Sequence, residues 1–306
     1  KINEAYDIND FNIIRFGKGR SHIWEQLVFP FFFIGKRDFV VLSFTGLGSI
    51  LLSNKVMTVH DLSFLENPSW FSRTYYYYYK LMTPLAIRTS KHILTVSEFS
   101  KKEIQRFYRF VNSDKITVVY NAADKQKFHV TTTAKTEHDA QPYFLAVSSL
   151  DKRKNFENLL EAFKDIEHCK LKIVGGANRV FSRSTTPAVK SENIEFLGRV
   201  SDTELLRLYN HAYAFIFPSL YEGFGLPLVE AMACGCPVLT SDIEVLREVC
   251  GEAALYFDPH SHQNIRTIIE EFLKTTADER QLLINKGLQN CKRFSWQSSA
   301  MRIFCS

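Results

Sequence analysis

The sequence predicts an α/β protein built from two parallel sheets. Short apolar strands alternate with amphipathic helical segments, and a polar stretch separates two such series. The length of 306 residues allows two domains, each with its own core, and the composition of 45% hydrophobic and 23% charged residues is that of a globular protein. Ligands in sheets of this kind bind at the carboxyl ends of the strands, so the residues after each strand are the site candidates.

In the first series, each predicted strand ends at a polar or small residue. The strands are Val56–Val59 before His60 and Asp61, His92–Val96 before Ser97, and Ile116–Val119 before Tyr120. Ser100-x-x-Glu103 resembles a capping box, which predicts a helix start there. Residues 39–52 contain Gly46 and Gly48 and are expected to form core strands rather than a membrane span.

The polar segment 124–141 is the predicted linker, and a second series follows it. Its strands are Tyr143–Val147, Leu171–Val174 before Gly175, Ile194–Leu197 before Gly198, and Ala214–Phe217 before Pro218. Ser201-Asp-Thr-Glu204 is a capping box that predicts a helix to about His211. Two strand–helix series joined by a linker predict two sheets that face each other across a cleft.

The segment Glu222-Gly-Phe-Gly-Leu-Pro-Leu-Val-Glu230 is the most informative part of the chain. A glycine-bracketed turn follows a buried strand, Pro227 suits the first turn of a helix, and Gly235 suits its end. With Glu222 in the loop and Glu230 about one turn into the helix, both carboxylates are expected to face a ligand above the helix N-terminus. That terminus offers free N–H groups and a positive dipole end, which suit phosphate. The segment therefore predicts a sugar-nucleotide site.

Two further motifs follow strands, and each has a structural alternative. Lys152-Arg-Lys154-Asn155 offers cations before a helix that Asn155 is expected to cap, which suits a diphosphate; the alternative is a solvated loop. His60 could act at the site or be a hydrogen-bonded structural residue. The Tyr75–Tyr79 run is expected to be structural, with a partner or membrane contact as the alternative.

Charge and cysteine usage restrict the function classes. Residues 1–135 carry a formal net charge of +8, and residues 136–306 one of −3. The first half could therefore face anionic lipid or a diphosphate-bearing acceptor; the alternative is a solvated surface. Dispersed basic residues without a binding motif argue against nucleic acid. The six cysteines lack zinc-ligand spacing, and reduced, buried thiols typical of a cytoplasmic protein are expected.

These motifs together resemble family 4 of the glycosyltransferases, close to the bacterial members that build lipopolysaccharide, capsule or exopolysaccharide. The resemblance covers roughly residues 40 to 300. The residues that carry it are Val59-His60-Asp61, Asn121, Arg153-Lys154-Asn155, Gly198 with Ser201–Leu205, and the run from Glu222 to Pro237. It implies the GT-B fold, with an N-terminal acceptor-side domain (residues 1–130) and a C-terminal nucleotide-sugar domain (131–306), both Rossmann-like.

The resemblance also implies a role for each matching position. Arg153 and Lys154 would bind the donor diphosphate, and Glu230 would accept hydrogen bonds from the ribose hydroxyls. Glu222 would hold the transferred sugar, and His60 would reach it across the cleft. The backbone of the turn and the helix start, Gly223, Phe224, Gly225 and Leu226, would contact the sugar and its phosphate. Gly198 and Val200 would lie against the nucleobase, with Leu205 as a wall.

The implied reaction is a retaining transfer from a UDP-, GDP- or dTDP-sugar to a glycan or lipid-linked acceptor, by a hexosyltransferase that needs no cofactor or metal. The cytoplasm is the expected location, with the inner face of the plasma membrane, in peripheral contact with anionic lipid, as the more specific alternative. Neither Glu222 nor Glu230 needs to be a nucleophile or a general acid, because the leaving diphosphate can take the acceptor proton itself.

Three departures from the family pattern qualify these expectations. Fifty-nine residues precede His60 without the expected glycine-rich loop, which predicts a truncated N-terminal domain. Ser149 stands where many members have arginine, and Asn121-Ala-Ala-Asp124 replaces a commoner Asn-Gly-Val-Asp. The alternative function is a catalytically impaired nucleotide-binding fragment or partner subunit. A phosphorylase or epimerase of the same fold is a weaker option.

Overall fold

Two parallel sheets organise the chain in the computed structural model, which describes residues 12–19, 21–131, 142–164, 166–176 and 192–304. The first sheet has four strands in the order β1-β2-β3-β4: β1 (Val41–Ser43), β2 (Lys55–Val59), β3 (His92–Thr95) and β4 (Ile116–Val118). The second has six in the order β10-β9-β8-β5-β6-β7: β5 (Tyr143–Val147), β6 (Lys170–Val174), β7 (Ile194–Gly198), β8 (Ala214–Phe217), β9 (Val238–Ser241) and β10 (Leu255–Phe257). The predicted α/β class with two parallel sheets is confirmed, and the seven strands predicted individually all occur within one residue of their expected ends.

Helices cross between the strands. In the first half these are α1 (Ser21–Ile23), α2 (Ser63–Glu66), α3 (Arg73–Thr89) and α4 (Glu98–Phe107). In the second half they are α5 (Phe156–Phe163), α6 (Asp202–His211), α7 (Leu226–Ala233), α8 (Glu244–Cys250), α9 (His262–Leu273), α10 (Ala277–Asn290) and α11 (Trp296–Phe304). Short 3₁₀ segments include Phe29–Phe33 and Lys152–Lys154, and Trp24–Val28 is a π-helix. In the described part of the chain, no helix is long and apolar enough to cross a membrane.

The described residues form three apolar clusters, two on the faces of the second sheet and one around the first sheet, the part of the chain called the first domain below. The strands β8 and β9 are buried along their whole length, as expected for central strands of a sheet covered on both faces. Residues also cross between the halves: Tyr221 packs in the cluster of the first domain, and Ser299 of α11 donates to the carbonyl of Tyr120 at 2.6 Å. The boundary at 130/131 stays a prediction, and residues 132–141 of the predicted linker lie outside the described residues.

Four local predictions were partly or wholly wrong. Helix α4 is capped by Ser97, whose hydroxyl accepts from the Ser100 N–H at 3.0 Å, so it starts before the predicted Ser100 box. Asn155 does not cap α5 with its side chain: its φ is +57°, and its amide donates to the carbonyls of Pro218 and Pro259. Within residues 39–52, where core strands were predicted, the structure has one short strand, β1. Val40 and Phe44 on either side of it are exposed.

The fourth is the box at Ser201, where only half of the motif is formed. Ser201 accepts from the Glu204 N–H at 3.2 Å as predicted, but the Glu204 carboxylate pairs with Arg207 at 2.8 Å instead of reaching back. The predicted helix to His211 is confirmed as α6, since one satisfied N-cap is enough to begin it.

Candidate active site

The candidate site lies where the order of the second sheet reverses. Strands β5 and β8 are neighbours, but the chain proceeds outward from β5 to β7 on one side and from β8 to β10 on the other. The loops that follow β5 and β8 therefore diverge and leave a crevice at the carboxyl ends of these strands. Arg153 and Lys154 follow β5, and Glu222 follows β8, so the topology brings the predicted cations and the predicted acid together.

Arg153 and Lys154 form a buried ionic cluster with acids from both halves of the chain. Lys154 Nζ lies 2.5 Å from Glu222 Oε1, and both side chains are about a tenth exposed. Arg153 Nη1 lies 3.4 Å from Asp61 Oδ2 and 3.8 Å from Glu222 Oε2, while Arg153 Nε lies 3.8 Å from Asp151 Oδ1. Asp61 belongs to the first domain, so this cluster joins the two sheets across the cleft.

One N–H group of the Arg153 guanidinium is available to a ligand. Its buried Nε makes no hydrogen bond within the described part of the chain, although buried N–H groups in proteins are nearly always paired. Burial opposes its charge, but Glu222, Asp61 and Asp151 outweigh burial and raise the pKa of Arg153. Burial also opposes the charge of Asp61, since it raises the carboxyl pKa. Arg153 and two hydrogen bonds from Ser63 outweigh burial, so the pKa of Asp61 lies below its ordinary value. Both groups are thus held in their charged forms.

The glycine turn 223–225 presses against the first domain. A Cβ on Gly223 would lie 2.2 Å from the carbonyl oxygen of His60, which is backbone and cannot swing away. The carbonyl of Gly223 accepts from the hydroxyls of Ser97 at 2.7 Å and Ser100 at 3.2 Å. Only glycine permits this approach, and the turn is thereby held over the end of β2.

The helix start after this turn is formed as predicted. Gly225 has φ +92° at the N-cap position of α7, a conformation that favours glycine, and Pro227 lies in the first turn. Gly235, with φ +68°, follows the helix end. The ring of Phe224 packs against Tyr120 and Phe294, so its side chain belongs to the core and only its backbone can reach a ligand. Leu226, at the helix start, is half-buried.

Glu230 is largely withdrawn from water one turn into α7. Its Oε2 accepts from the Tyr209 hydroxyl at 3.3 Å. Burial raises the pKa of Glu230 to about 7, with a smaller contribution from Asp202, while the hydrogen bond from Tyr209 works in the opposite direction. The two predicted acids therefore have different partners: Glu222 pairs with a cation and Glu230 with a phenol.

The predicted base-binding residues line the edge of the same sheet. Gly198 ends β7 with φ +67°, and its carbonyl accepts from the Gly175 N–H at 2.7 Å. A Cβ on Gly198 would meet no atom of the described residues within 4 Å. Val200 and Leu205 are half-buried against the core.

His60 has a contact that the sequence did not predict. Its Nε2 lies 2.7 Å from the carbonyl oxygen of Phe44 within the first domain, and the residue is exposed. Its carbonyl, rather than its ring, meets the turn at Gly223. The role at the donor sugar stays a prediction.

Two acids at the cleft were given no role from the sequence. Asp61 stood in the His-Asp motif, and its position after a strand beside His60 was the available indication. Glu248 on α8 carried no recognisable motif, yet its two carboxylate oxygens accept from the N–H groups of Glu98 at 2.7 Å and Phe99 at 2.9 Å, at the start of α4 in the other domain.

The sequence predicted reduced, buried cysteines and gave no zinc-ligand spacing. The five described cysteines are free, and four of them are buried, as expected. Among the described residues there is no group of three or more His, Cys, Asp or Glu that could hold a metal ion.

Comparisons with known proteins agree with this geometry. Residues 131–289 match the family model "Glycosyl transferases group 1", and residues 40–127 match "Glycosyltransferase Family 4". The first of these covers more than half of the chain. The chain belongs to the group 1 glycosyltransferases. The enzyme class and the recognition of family 4 made from the motifs are thereby confirmed.

Individual relatives extend this result. The group 1 glycosyltransferase described here is 30% identical over 263 residues to the O-antigen chain mannosyltransferase B of Escherichia coli, covering 81% of this chain and 68% of that protein. It is 34% identical over 224 residues to the O-antigen chain mannosyltransferase RfbU of Salmonella typhimurium, covering 72% and 61%. The chain thus spans about two thirds of the length of these curated relatives.

Solved structures show the same fold. WaaG, a glycosyltransferase involved in lipopolysaccharide biosynthesis, matches with a TM-score of 0.68 at 15% identity, over 87% of this chain and 76% of that one. HepE of Anabaena, in complex with UDP and glucose, matches with a TM-score of 0.68 at 20% identity, over 81% and 70%. The GT-B arrangement expected from the motifs agrees with these matches.

Proposed function

We propose that this glycosyltransferase moves a sugar, with mannose as the first candidate, from a nucleotide-diphosphate donor to a glycan or lipid-linked acceptor in cell-surface polysaccharide synthesis. The observation that carries the proposal is the buried cluster of Arg153 and Lys154 with Glu222 at the switch point, beside the N-terminus of α7. Mannose is chosen because the curated relatives named above are mannosyltransferases of O-antigen chains. The identity of the base stays open among UDP, GDP and dTDP, and the HepE complex supports UDP as one of them.

The proposed chemistry needs no carboxylate nucleophile. Glu222 is held by Lys154 at 2.5 Å, which suits it to bind hydroxyls and not to attack carbon. We infer that the bond from the anomeric carbon to the phosphate oxygen breaks while the acceptor oxygen bonds to the same face, and that the acceptor proton passes to the leaving phosphate. Arg153, Lys154 and the dipole of α7 would stabilise the charge that develops there, which is electrostatic catalysis.

Calorimetry with GDP, UDP and dTDP tests the site assignment. Replacing Lys154 or Glu230 by alanine is expected to cost ~1.5–3 kcal/mol of binding, roughly 10- to 150-fold in affinity, by the usual worth of hydrogen bonds to charged groups. Lys152→Ala is the matched control, because Lys152 lies in the same segment but is exposed. Unchanged affinity in both test variants would sink the assignment. Tight nucleotide binding without transfer or donor hydrolysis would favour the alternative, an impaired nucleotide-binding subunit.

Contact with an anionic membrane is a further part of the proposal. Four apolar side chains between residues 23 and 34 are strongly exposed: Ile23, Leu27, Phe31 and Ile34. They lie in the half of the chain with a charge balance of +8, beside Lys36 and Arg37. Such a mixed surface suits peripheral binding at the cytoplasmic face, where a lipid-linked acceptor would be met. Flotation with anionic liposomes at low and moderate salt tests this, and absence of binding at both salts would reject it.

A further inference from the structure

A cavity of about 170 Å³ lies in the first domain next to the ionic cluster. All its lining residues come from residues 45–83, and none belongs to the sheet that carries the predicted donor site. A water molecule occupies about 30 Å³ in the liquid, so this space exceeds what one or two waters fill. Its lining is therefore separate from that of the predicted donor site.

One wall of the cavity is aromatic. Tyr75 and Tyr79 are four residues apart on α3, which puts them on the same face, and their rings stack with centroids 4.2 Å apart at 28°. Tyr77, from the same run, points away and is 65% exposed. The Tyr75–Tyr79 run was predicted to be structural. In the structure, one face of it lines the cavity and another faces solvent.

The remaining lining is mixed: Thr45, Thr58, Thr83, His60 and Asp61 are polar, and Leu47, Val59, Leu62 and Phe64 are apolar. The hydroxyl of Thr58 is buried and has no hydrogen-bond partner among the described residues. Asp61 contributes a carboxylate and His60 lies at the rim, while no Lys or Arg lines the space. Hydroxyl groups and an acid beside stacked aromatic rings suit a neutral, hydroxyl-bearing ring and disfavour a phosphate.

The position of Asp61 connects this cavity to the donor side. It lines the cavity and also lies 3.4 Å from Arg153, one of the cations assigned to the donor diphosphate. A ring held in the cavity would therefore present a hydroxyl towards the place where the donor's anomeric carbon is expected.

We propose that this cavity holds the terminal sugar of the acceptor, as a neutral hexopyranosyl unit recognised by Thr58, Tyr75, Tyr79 and Asp61. This rests on the proposed function, because it assigns the acceptor half of that reaction. It places the recognition of the acceptor in its sugar rather than in a lipid diphosphate.

The test separates sugar binding from nucleotide binding. Saturation-transfer NMR with the methyl α-glycosides of mannose, glucose, galactose and N-acetylglucosamine reports sugar binding without any donor, and the variants of the cavity lining assign that binding to the cavity. Thr58→Val removes one hydroxyl and no volume, and is expected to weaken the bound glycoside at least fivefold. Because the valine also removes an unsatisfied buried hydroxyl, the melting temperature should not fall. Tyr79→Ala is expected to abolish the NMR effect, and Tyr77→Ala, its matched control on the solvent face, to leave it unchanged.

Nucleotide affinity, measured by calorimetry on the same variants, should stay within twofold of wild type. No saturation transfer from the wild-type protein to any of the four glycosides would overturn the inference. So would equal binding by wild type and Thr58→Val, or an equal loss in the Tyr77 and Tyr79 variants. Failure of the wild type to bind any nucleotide would instead refute the proposed function, while the glycoside experiment would still decide the cavity.

Discussion

The raised pKa of Glu230 predicts that stability and donor binding respond oppositely to pH. Burial lifts this pKa from 4.5 to about 7, so the fold favours the protonated acid. In the unfolded chain the group ionises near its ordinary pKa. Stability is therefore lost progressively as the pH rises between 4.5 and 7, and by pH 8 the loss is about 3 kcal/mol at 1.36 kcal/mol per pKa unit.

The perturbation is Glu230→Gln, which keeps the shape but cannot ionise. The variant should be more stable than the wild type at pH 8, with the Tyr209 hydroxyl still able to donate to the amide oxygen. At pH 5.5, ionisation of Glu230 lowers the stability of the wild type by only about 1.4 kcal/mol. The stability advantage of Glu230→Gln should therefore be ~2 kcal/mol smaller at pH 5.5 than at pH 8. Glu270→Gln on the exposed side of α9 is the control and should show no such trend.

The same ionisation should govern the donor. A carboxylate accepts hydrogen bonds from ribose hydroxyls with both oxygens, whereas the protonated acid keeps one oxygen as a donor. Nucleotide affinity of the wild type should therefore rise as the pH passes from 6 to 8, and that of Glu230→Gln should stay flat. Thermal unfolding and calorimetry across this range measure both effects. A stability difference between wild type and variant that is the same at pH 5.5 and pH 8 would show that burial does not raise the pKa of Glu230.

Three other substitutions test the cleft. Gly223→Ala would put a methyl group 2.2 Å from the carbonyl of His60, so the turn must shift, and we expect roughly 1–3 kcal/mol lower stability with at least tenfold weaker nucleotide binding by calorimetry. Glu248→Ala removes two hydrogen bonds, at 2.7 and 2.9 Å, from the start of α4. Hydrogen exchange of the Glu98 and Phe99 amides should then be about tenfold faster or more. Unchanged protection of these amides would show that the contact does not hold the two domains together. Glu222→Gln removes a negative charge 3.8 Å from Arg153, so free nucleotide diphosphate should bind as tightly or more tightly while sugar transfer slows, and a large loss of diphosphate affinity would contradict this.

The strand ends and the main motif could be predicted from the sequence because they depend on local chemistry. Apolar runs that stop at Pro218 or Gly198 mark strand ends in any context, and Gly225 with Pro227 marks the start of α7. Once a chain is known to form parallel sheets, the residues after strands must share an edge. For this reason Arg153, Lys154 and Glu222 were predicted together without any distance.

What could not be predicted depends on contacts between distant segments. Asn155 adopts φ +57° because its amide reaches the carbonyls of Pro218 and Pro259, which lie 63 and 104 residues away. The cap of α4 is Ser97 rather than Ser100, since Ser100 turns its hydroxyl to carbonyls of the cleft. The pKa of Glu230 reflects burial, which no motif encodes.

The ionic cluster also explains how the two cations can have different roles. Lys154 has a close partner in Glu222 at 2.5 Å, whereas the contacts of Arg153 with three acids range from 3.4 to 3.8 Å, and its Nε has no hydrogen bond within the described residues. A short, buried pair is costly to separate, while long contacts give up little when a new anion arrives. A donor diphosphate should therefore bind first to Arg153, and Lys154 should add its own contact to the diphosphate while it keeps Glu222 in place against the sugar. On this reasoning Asp61, released from Arg153 by the phosphate, becomes available to the acceptor in the adjoining cavity, so that binding of the donor prepares the acceptor side of the same cleft.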